Sequence, residues 1–393
     1  MTDAPISGAP SAPHGAPSFD IDALTSDPER HIIVCCGSGG VGKTTSAAAV
    51  ALNAAEKHGR KVAVMTIDPA KRLAQALGVE TLDNDPRPIE GLRGGSLDAM
   101  MLDMKRTFDQ VVNEQADERR ASAILANPFY KALSTTFSGT QEYMAMERLG
   151  QLRTEGRWDL IVVDTPPSRS ALDFLDAPAR LARLMDGPLV RMLGASVPGR
   201  GKRSVLSVMG AGAAVVTRVF NKVLGGHLLT DIAEFTASLQ DTFGGFRERA
   251  DETFRILRGA ETAFLVVAIP EDAAVEEAVY FTRRLRSEDM PVAGLVVNQC
   301  EPLLACLSAD RAAAAAEVME AVDPDGGAAE VLEVHAQMAR RKHREDHVAG
   351  RFTAAFPEVP VRRVPLRGNE IADVGDLREF FAPLRSPMDR ASE

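Results

Sequence analysis

The chain has 393 residues, 55 acidic against 45 basic side chains and a formal net charge of −10. That length is ample for one large α/β domain with an inserted subdomain, and the acidic balance argues against nucleic acid as a main ligand. Four cysteines, the adjacent Cys35 and Cys36 and the later Cys300 and Cys306, make no disulfide framework and fit a reducing cytoplasm.

Residues 1–28 predict a disordered tail, because they open on Pro, Ala, Ser and Gly without the basic-then-apolar order of a signal peptide. Ile32 to Cys36 is then a short apolar run of the kind a buried parallel strand needs. Gly37 opens the pattern G-x-x-x-x-G-K-[ST], closed by Gly42, Lys43 and Thr44, and an alanine-rich helical segment follows as far as Gly59. Gly39, Gly40 and Gly42 free the backbone to curl, so that the loop from Gly39 through Val41 to Thr45 aims successive N–H groups at phosphate oxygens beside a helix N-terminus. Lys43 is placed for the β and γ phosphates, and the Thr44 hydroxyl for Mg²⁺. The pattern predicts ATP and Mg²⁺ as ligands.

A second strand, Lys61 to Ile67, ends on Asp68-Pro69-Ala70. A carboxylate at the C-terminal end of a parallel strand lies on the ligand side of such a sheet, so Asp68 is a candidate to orient the attacking water or to hold Mg²⁺ through water, or else to cap the following helix. Leu97 to Met104 predicts another strand, Arg106 to Leu125 one amphipathic helix, and Glu142 to Leu152 a further helix whose Glu142 and Glu147 read as a solvated face. Leu160 to Val163 runs into Asp164, a second carboxylate delivered to the phosphate end, which in phosphate-loop enzymes binds Mg²⁺, usually through water; a helix cap is the plainer alternative. Thr165 to Ser168 follow as a loop able to change shape when the γ-phosphate leaves.

Residues 180–257 have helical patterning, and Leu181 to Leu229 is unusually apolar, with Met185, Met192 and Met209 among Leu, Val and Phe. Its uncharged stretch Ser204 to Thr217 runs about 14 residues, short of the roughly 18 to 20 that cross a bilayer. Methionine-rich helices adapt to varied partners, so the region is a candidate groove for a hydrophobic client helix; ordinary core or a dimer face is the plainer alternative. Thr262 to Ile269 resumes the sheet, and Pro270 opens a helix in its favoured first turn. Val292 to Val297 ends on Asn298-Gln299, where a side-chain amide offers donor and acceptor to an adenine edge, or caps a turn. Helices are expected over Arg311 to Val322 and Ala328 to His347; His343 and His347 lie among Arg, Lys and Glu and read as a solvated face rather than a zinc pair. Val359 to Pro365 is the last strand, Pro365 and Leu366 wall a base pocket, and a closing helix falls near Asp376 to Leu384.

Taken in order, GSGGVGKTT, TIDPAKR, VVDTPPSRSALDFLDAP, IPE, VVNQ and VPLRGNEI resemble the ArsA family of anion-transporting ATPases and their relatives that deliver tail-anchored membrane proteins, from His31 to about Leu384. The resemblance implies an α/β fold with a doubly wound, mostly parallel sheet. It also implies one domain over residues 29–390, whose helical subdomain is drawn from about 105–150 and 180–258, and a nucleotide-sandwich dimer that opens and closes with ATP. By the same likeness Asp68 matches the switch I aspartate, Asp164 the switch II aspartate and Asn298 the adenine-recognising asparagine, and Pro365 borders the adenine.

Three departures stand out. The family's loop usually begins GKGG, with a lysine that reaches the other subunit's phosphates; Ser38 holds that place here, so turnover is slow, or Lys71, Arg72 or Arg169 substitutes, or a different subunit supplies the charge. Cys300 and Cys306 lack the Cys-x-x-Cys spacing by which some relatives share zinc, so no structural zinc is expected, and the subdomain carries no cysteine triad for arsenite. There is one phosphate loop, so a second P-loop subunit, identical or not, must complete the sandwich. The expected function is an ATP-hydrolysing dimeric switch that holds or releases a hydrophobic client; the alternative is an ATP-binding regulatory subunit with little hydrolysis of its own.

Overall fold

The computed structural model describes residues 17–68, 70–127, 130, 140–166, 244–303 and 305–382. Pro69, Pro167, Ser168, Arg169 and the apolar stretch from Leu181 to Leu229 lie outside the described residues. A strand flanked by parallel neighbours and covered on both faces must be apolar at every position, not at alternate ones. β1 (Ile32–Cys36), β5 (Leu160–Asp164) and β6 (Thr262–Ala268) meet that demand and are buried from end to end. With β2 (Lys61–Thr66), β3 (Arg87–Pro88), β4 (Ser96–Met101), β7 (Val292–Cys300) and β8 (Val361–Pro365) they form one eight-stranded sheet in the order β3-β4-β2-β5-β1-β6-β7-β8. Only β3 runs antiparallel to its neighbour. The doubly wound, mostly parallel α/β sheet expected from the sequence is the one observed.

Chain contacts divide the protein into two compact units. The first takes in Met1–Met101, Gly156–Ala171 and Ile256–Glu393 and holds the whole sheet; the second takes in Leu102–Glu155 and Leu172–Arg255. In the first unit, α2 (Lys43–His58) lies on the sheet mainly against β2 and β5, and its run of buried alanines leaves no bulk to hold the helix away from the strands. No helix among the described residues is long and apolar enough to cross a membrane.

Several boundaries differ from the sequence expectation for identifiable reasons. The tail assigned to residues 1–28 is too long: Asp20 caps α1 (Ile21–Ser26), Phe19, Ile21 and Leu24 are buried, and Ser18 bridges to Val361 at the edge of β8. Arg60 secures this segment, its guanidinium donating to the carbonyls of Thr25, Asp27, Arg30 and Asp159 at 2.5 to 3.1 Å. β4 stops at Met101, because Asp103 accepts from the Arg106 N–H and starts α4 (Met104–Gln115). The single helix expected over Arg106 to Leu125 is two: Asp117 caps a separate α5 (Glu118–Ala126). In α6 (Thr140–Glu155), Glu147 is buried rather than solvated and receives Arg249, from α7 (Gly244–Arg258), at 3.0 Å. α8 (Asp272–Ser287) starts two residues after Pro270. α9 (Ala309–Val322) and α10 (Ala328–Ala355) form a hairpin, α10 outrunning the expected His347 end by two turns, with His343 and His347 exposed on it.

Candidate active site

The cleft lies at the C-terminal ends of the strands, beside the glycine loop that leaves β1 and enters α2, with a volume of about 420 Å³. The loop passes so close to β6 that a Cβ on Gly37 would sit 2.1 Å from the Val267 carbonyl oxygen. Gly42 turns the chain into the helix at φ +90°, and a Cβ there would lie 2.3 Å from Asn298 Nδ2. Both positions therefore require glycine for the space as well as for the dihedral.

Asp164 is brought to the loop by strand order. β5 lies between β2 and β1, and its last residue is in register with Thr66 on one side and Cys35 on the other. The Thr44 hydroxyl donates to Asp164 Oδ2 at 2.7 Å and the Thr66 hydroxyl donates to the same oxygen at 2.8 Å. The Asp68 backbone N–H in turn donates to Thr66 Oγ1 at 3.2 Å. Asp164 Oδ1 is buried and has no partner. Burial pushes the Asp164 carboxyl up to about 6, against the opposing pull of the two threonine hydroxyls and Lys43.

Lys43 is 6% exposed, and its Nζ folds back to donate to the Ser38 carbonyl at 2.7 Å. Burial lowers its pKa from the ordinary lysine value, opposed by Asp164 and Asp68. Asp68, 8% exposed, accepts from the Ala70 N–H at 2.9 Å and faces Arg72 at 3.6 Å. It does not cap α3 (Arg72–Ala76), whose N-cap is Lys71. At the far wall, the β7–β8 register shifts between Val297 and Cys300, and Gln299 takes φ +57°. This kink carries Asn298 and Gln299 to the cleft, where Asn298 Nδ2 donates to the Val41 carbonyl at 3.0 Å. The amide thus supports the loop with one hydrogen and keeps its second donor and its acceptor.

Of the residues singled out in the sequence, Gly40, Gly42, Lys43, Thr44, Thr45, Asp68, Asn298 and Pro365 line this cleft. Asp164 is fully buried beneath Thr44, Val41 is buried behind the loop, and Gly39 is exposed outside the lining. Leu366 joins Pro365 at the wall. Sequence reasoning missed Thr66, Gln75 and Phe380; the signal for Thr66 was a hydroxyl residue at the strand end, two before Asp68. Cys300 is buried and Cys306 exposed.

The family described as "Anion-transporting ATPase" matches residues 30–312. The chain belongs to this family. The ATPase is also similar to "ATPase GET3" of Kluyveromyces lactis, 23% identical over 388 residues and covering 95% of both chains. It is similar to "ATPase get3" of Schizosaccharomyces pombe, 24% identical over 89% of this chain and 90% of the relative. To the "ATPase ASNA1 homolog" of Cryptosporidium parvum it is 26% identical, over 67% of this chain and 63% of that one. Lys43, Thr44 and Asp68 are among the polar groups this ATPase holds at its cleft, with Thr66 and Asp164 buried beneath them.

Proposed function

We propose that the cleft binds Mg²⁺-ATP and that the ATPase works as a dimeric switch, in which closure on ATP controls the holding of a hydrophobic, tail-anchored client segment. The observation that carries the nucleotide reading is Asp164 Oδ1, a buried carboxylate oxygen left without a partner beside the Thr44 hydroxyl. A buried acceptor of that kind is costly unless a ligand or water completes it, and a hydrated divalent cation fits. Thr44 and, through water, Asp164 would hold that cation. Among the described residues no cluster of three His, Cys, Asp or Glu side chains suits a metal by itself, so most ligands would be water and phosphate, as Mg²⁺ prefers. Bound there, the cation offsets negative charge on the phosphate oxygens.

The chain's own groups account for the rest. Lys43 exchanges the Ser38 carbonyl for phosphate oxygens, which gives a buried ammonium a charged acceptor in place of a neutral one. The loop N–H groups fix the polyphosphate, and Asp68, steadied by the Ala70 N–H, orients the attacking water. Asn298 and Pro365 face the base. Purified protein should turn over ATP; Lys43→Ala should weaken ATP binding by on the order of 10²-fold or more, while Asp68→Asn keeps binding and loses turnover. Binding by calorimetry and phosphate release measure the two. ATP affinity unchanged in Lys43→Ala would overturn the assignment. For the client, the ATP-loaded Asp68→Asn protein should retain a peptide ending in an apolar helix, and equal retention without ATP sinks that half.

A further inference from the structure

We propose that Arg72 is a catalytic residue of this ATPase, supplying from its own subunit the positive charge that stabilises the γ-phosphoryl group in transfer. The inference rests on the ATP-hydrolysis reading and deepens it. Among the described residues three cations line the cleft: Lys43, Arg72 and Arg367. The Lys43 ammonium is deep in the loop and engaged with Ser38. Arg367 is spent on structure, its Nη2 donating to the carbonyls of Glu379, Phe380 and Ala382. Arg72 is different. Its side chain is 57% exposed, and among the described residues it pairs with Asp68 alone, at 3.6 Å, beyond hydrogen-bond reach.

With the guanidinium largely in solvent and no hydrogen bond formed, the pair is weak. The Asp68 carboxylate stays in place when the arginine leaves, because the Ala70 N–H holds its Oδ1 at 2.9 Å. One movement therefore does two things: it brings a planar guanidinium fork toward the phosphate oxygens and frees Asp68 Oδ2 for the water. In hydrolysis the water oxygen bonds to the γ phosphorus and its proton passes to an oxygen of the product phosphate, while the bond to the β–γ bridging oxygen breaks, its electron pair leaving with ADP. Negative charge is spread over the phosphoryl and bridging oxygens at that point, which is what a guanidinium stabilises better than a lysine. Lys71, its neighbour, does not line the cleft.

The test is Arg72→Ala and Arg72→Lys in the full chain, with single-turnover hydrolysis, ATP affinity, and affinity for ADP–fluoroaluminate, which mimics the phosphoryl group in flight. Arg72→Ala should lose on the order of 10²-fold or more in turnover, and change ATP affinity by less than about threefold. It should also lose tight ADP–fluoroaluminate binding while plain ADP binding is unchanged, with Arg72→Lys in between. A merely structural role would move ADP and ADP–fluoroaluminate affinity together, and that result overturns the proposal. So does turnover of Arg72→Ala within about twofold of the parent, which leaves the ATPase reading standing. A parent protein that binds ATP without hydrolysing it overturns both. The far-ultraviolet circular dichroism of each variant must match the parent, and Arg72→Gln serves should the alanine variant fail to fold.

Discussion

A carboxylate with one oxygen doubly satisfied and the other bare, as Asp164 is, makes a specific stability prediction. Its folded pKa of about 6 lies above the ordinary carboxyl value, so between about pH 4 and 6 the folded protein keeps a proton that the unfolded chain has released. Stability contributed by that proton is lost as pH rises through the window, and at pH 7 the nucleotide-free protein carries a buried charge. Asp164→Asn should therefore stabilise the free protein by about 1–3 kcal/mol at pH 7.5 and by nothing at pH 4, while turnover disappears. Urea melts at the two pH values measure it. The residue that sequence reasoning passed over here, Thr66, shows what patterns miss: a threonine at a strand end is unremarkable until strand order sets Asp164 beside it. Lys43 was legible by type, yet its present partner, a carbonyl of its own loop, was not.

At the scale of elements, the strands were read closely because an all-apolar run bounded by Gly, Asp or Pro has few other uses in a sheet covered on both faces. Helix ends were read less well. Apolar spacing ran continuously through 106–125, but Asp117 offered its carboxylate to the Arg120 N–H and began a new helix. The β7 kink left no mark in composition, since Gln299 is not a residue that advertises a positive φ. One ion pair ties the C-terminal elements to the phosphate-loop helix. Arg378, at the end of α11 (Val374–Arg378), donates to Glu56 of α2 through Nε and Nη2 at 2.7 to 3.1 Å. Burial pushes Glu56 up, but Arg378 and the Arg93 N–H outweigh it and hold the carboxyl below its usual range. That stability is present above the ordinary glutamate pKa and is lost as pH falls through the lowered value. Arg378→Ala should cost about 1–2 kcal/mol at pH 7. Because Ile371 and Phe380 flank the helix and line the cleft, the variant should raise KM for ATP more than it lowers kcat.

For the whole molecule, a single phosphate loop in 393 residues makes assembly the open variable. Sedimentation of the Asp68→Asn protein should show a monomer-to-dimer shift with Mg²⁺-ATP that is absent with ADP; no shift in mixtures with itself would direct attention to a second kind of P-loop subunit. Ser38→Lys separates the switch from a regulatory subunit of low turnover. A gain of about tenfold or more in hydrolysis favours the regulatory reading, whereas a gain within about twofold means that the parent already supplies its own charge.

By itself the sequence determined the α/β class, the strand–loop–helix around Gly37 to Thr45, and the two carboxylates at strand ends, because phosphate binding and buried parallel strands demand particular residue types at short spacing. Only the tertiary structure decided that Asp164 reaches Thr44 through 120 residues of chain separation, that Asn298 braces Val41, and that Arg72 rather than Lys71 faces the cleft. Those relations depend on the order of strands in the sheet and on a one-residue kink, and local spacing carries no record of either.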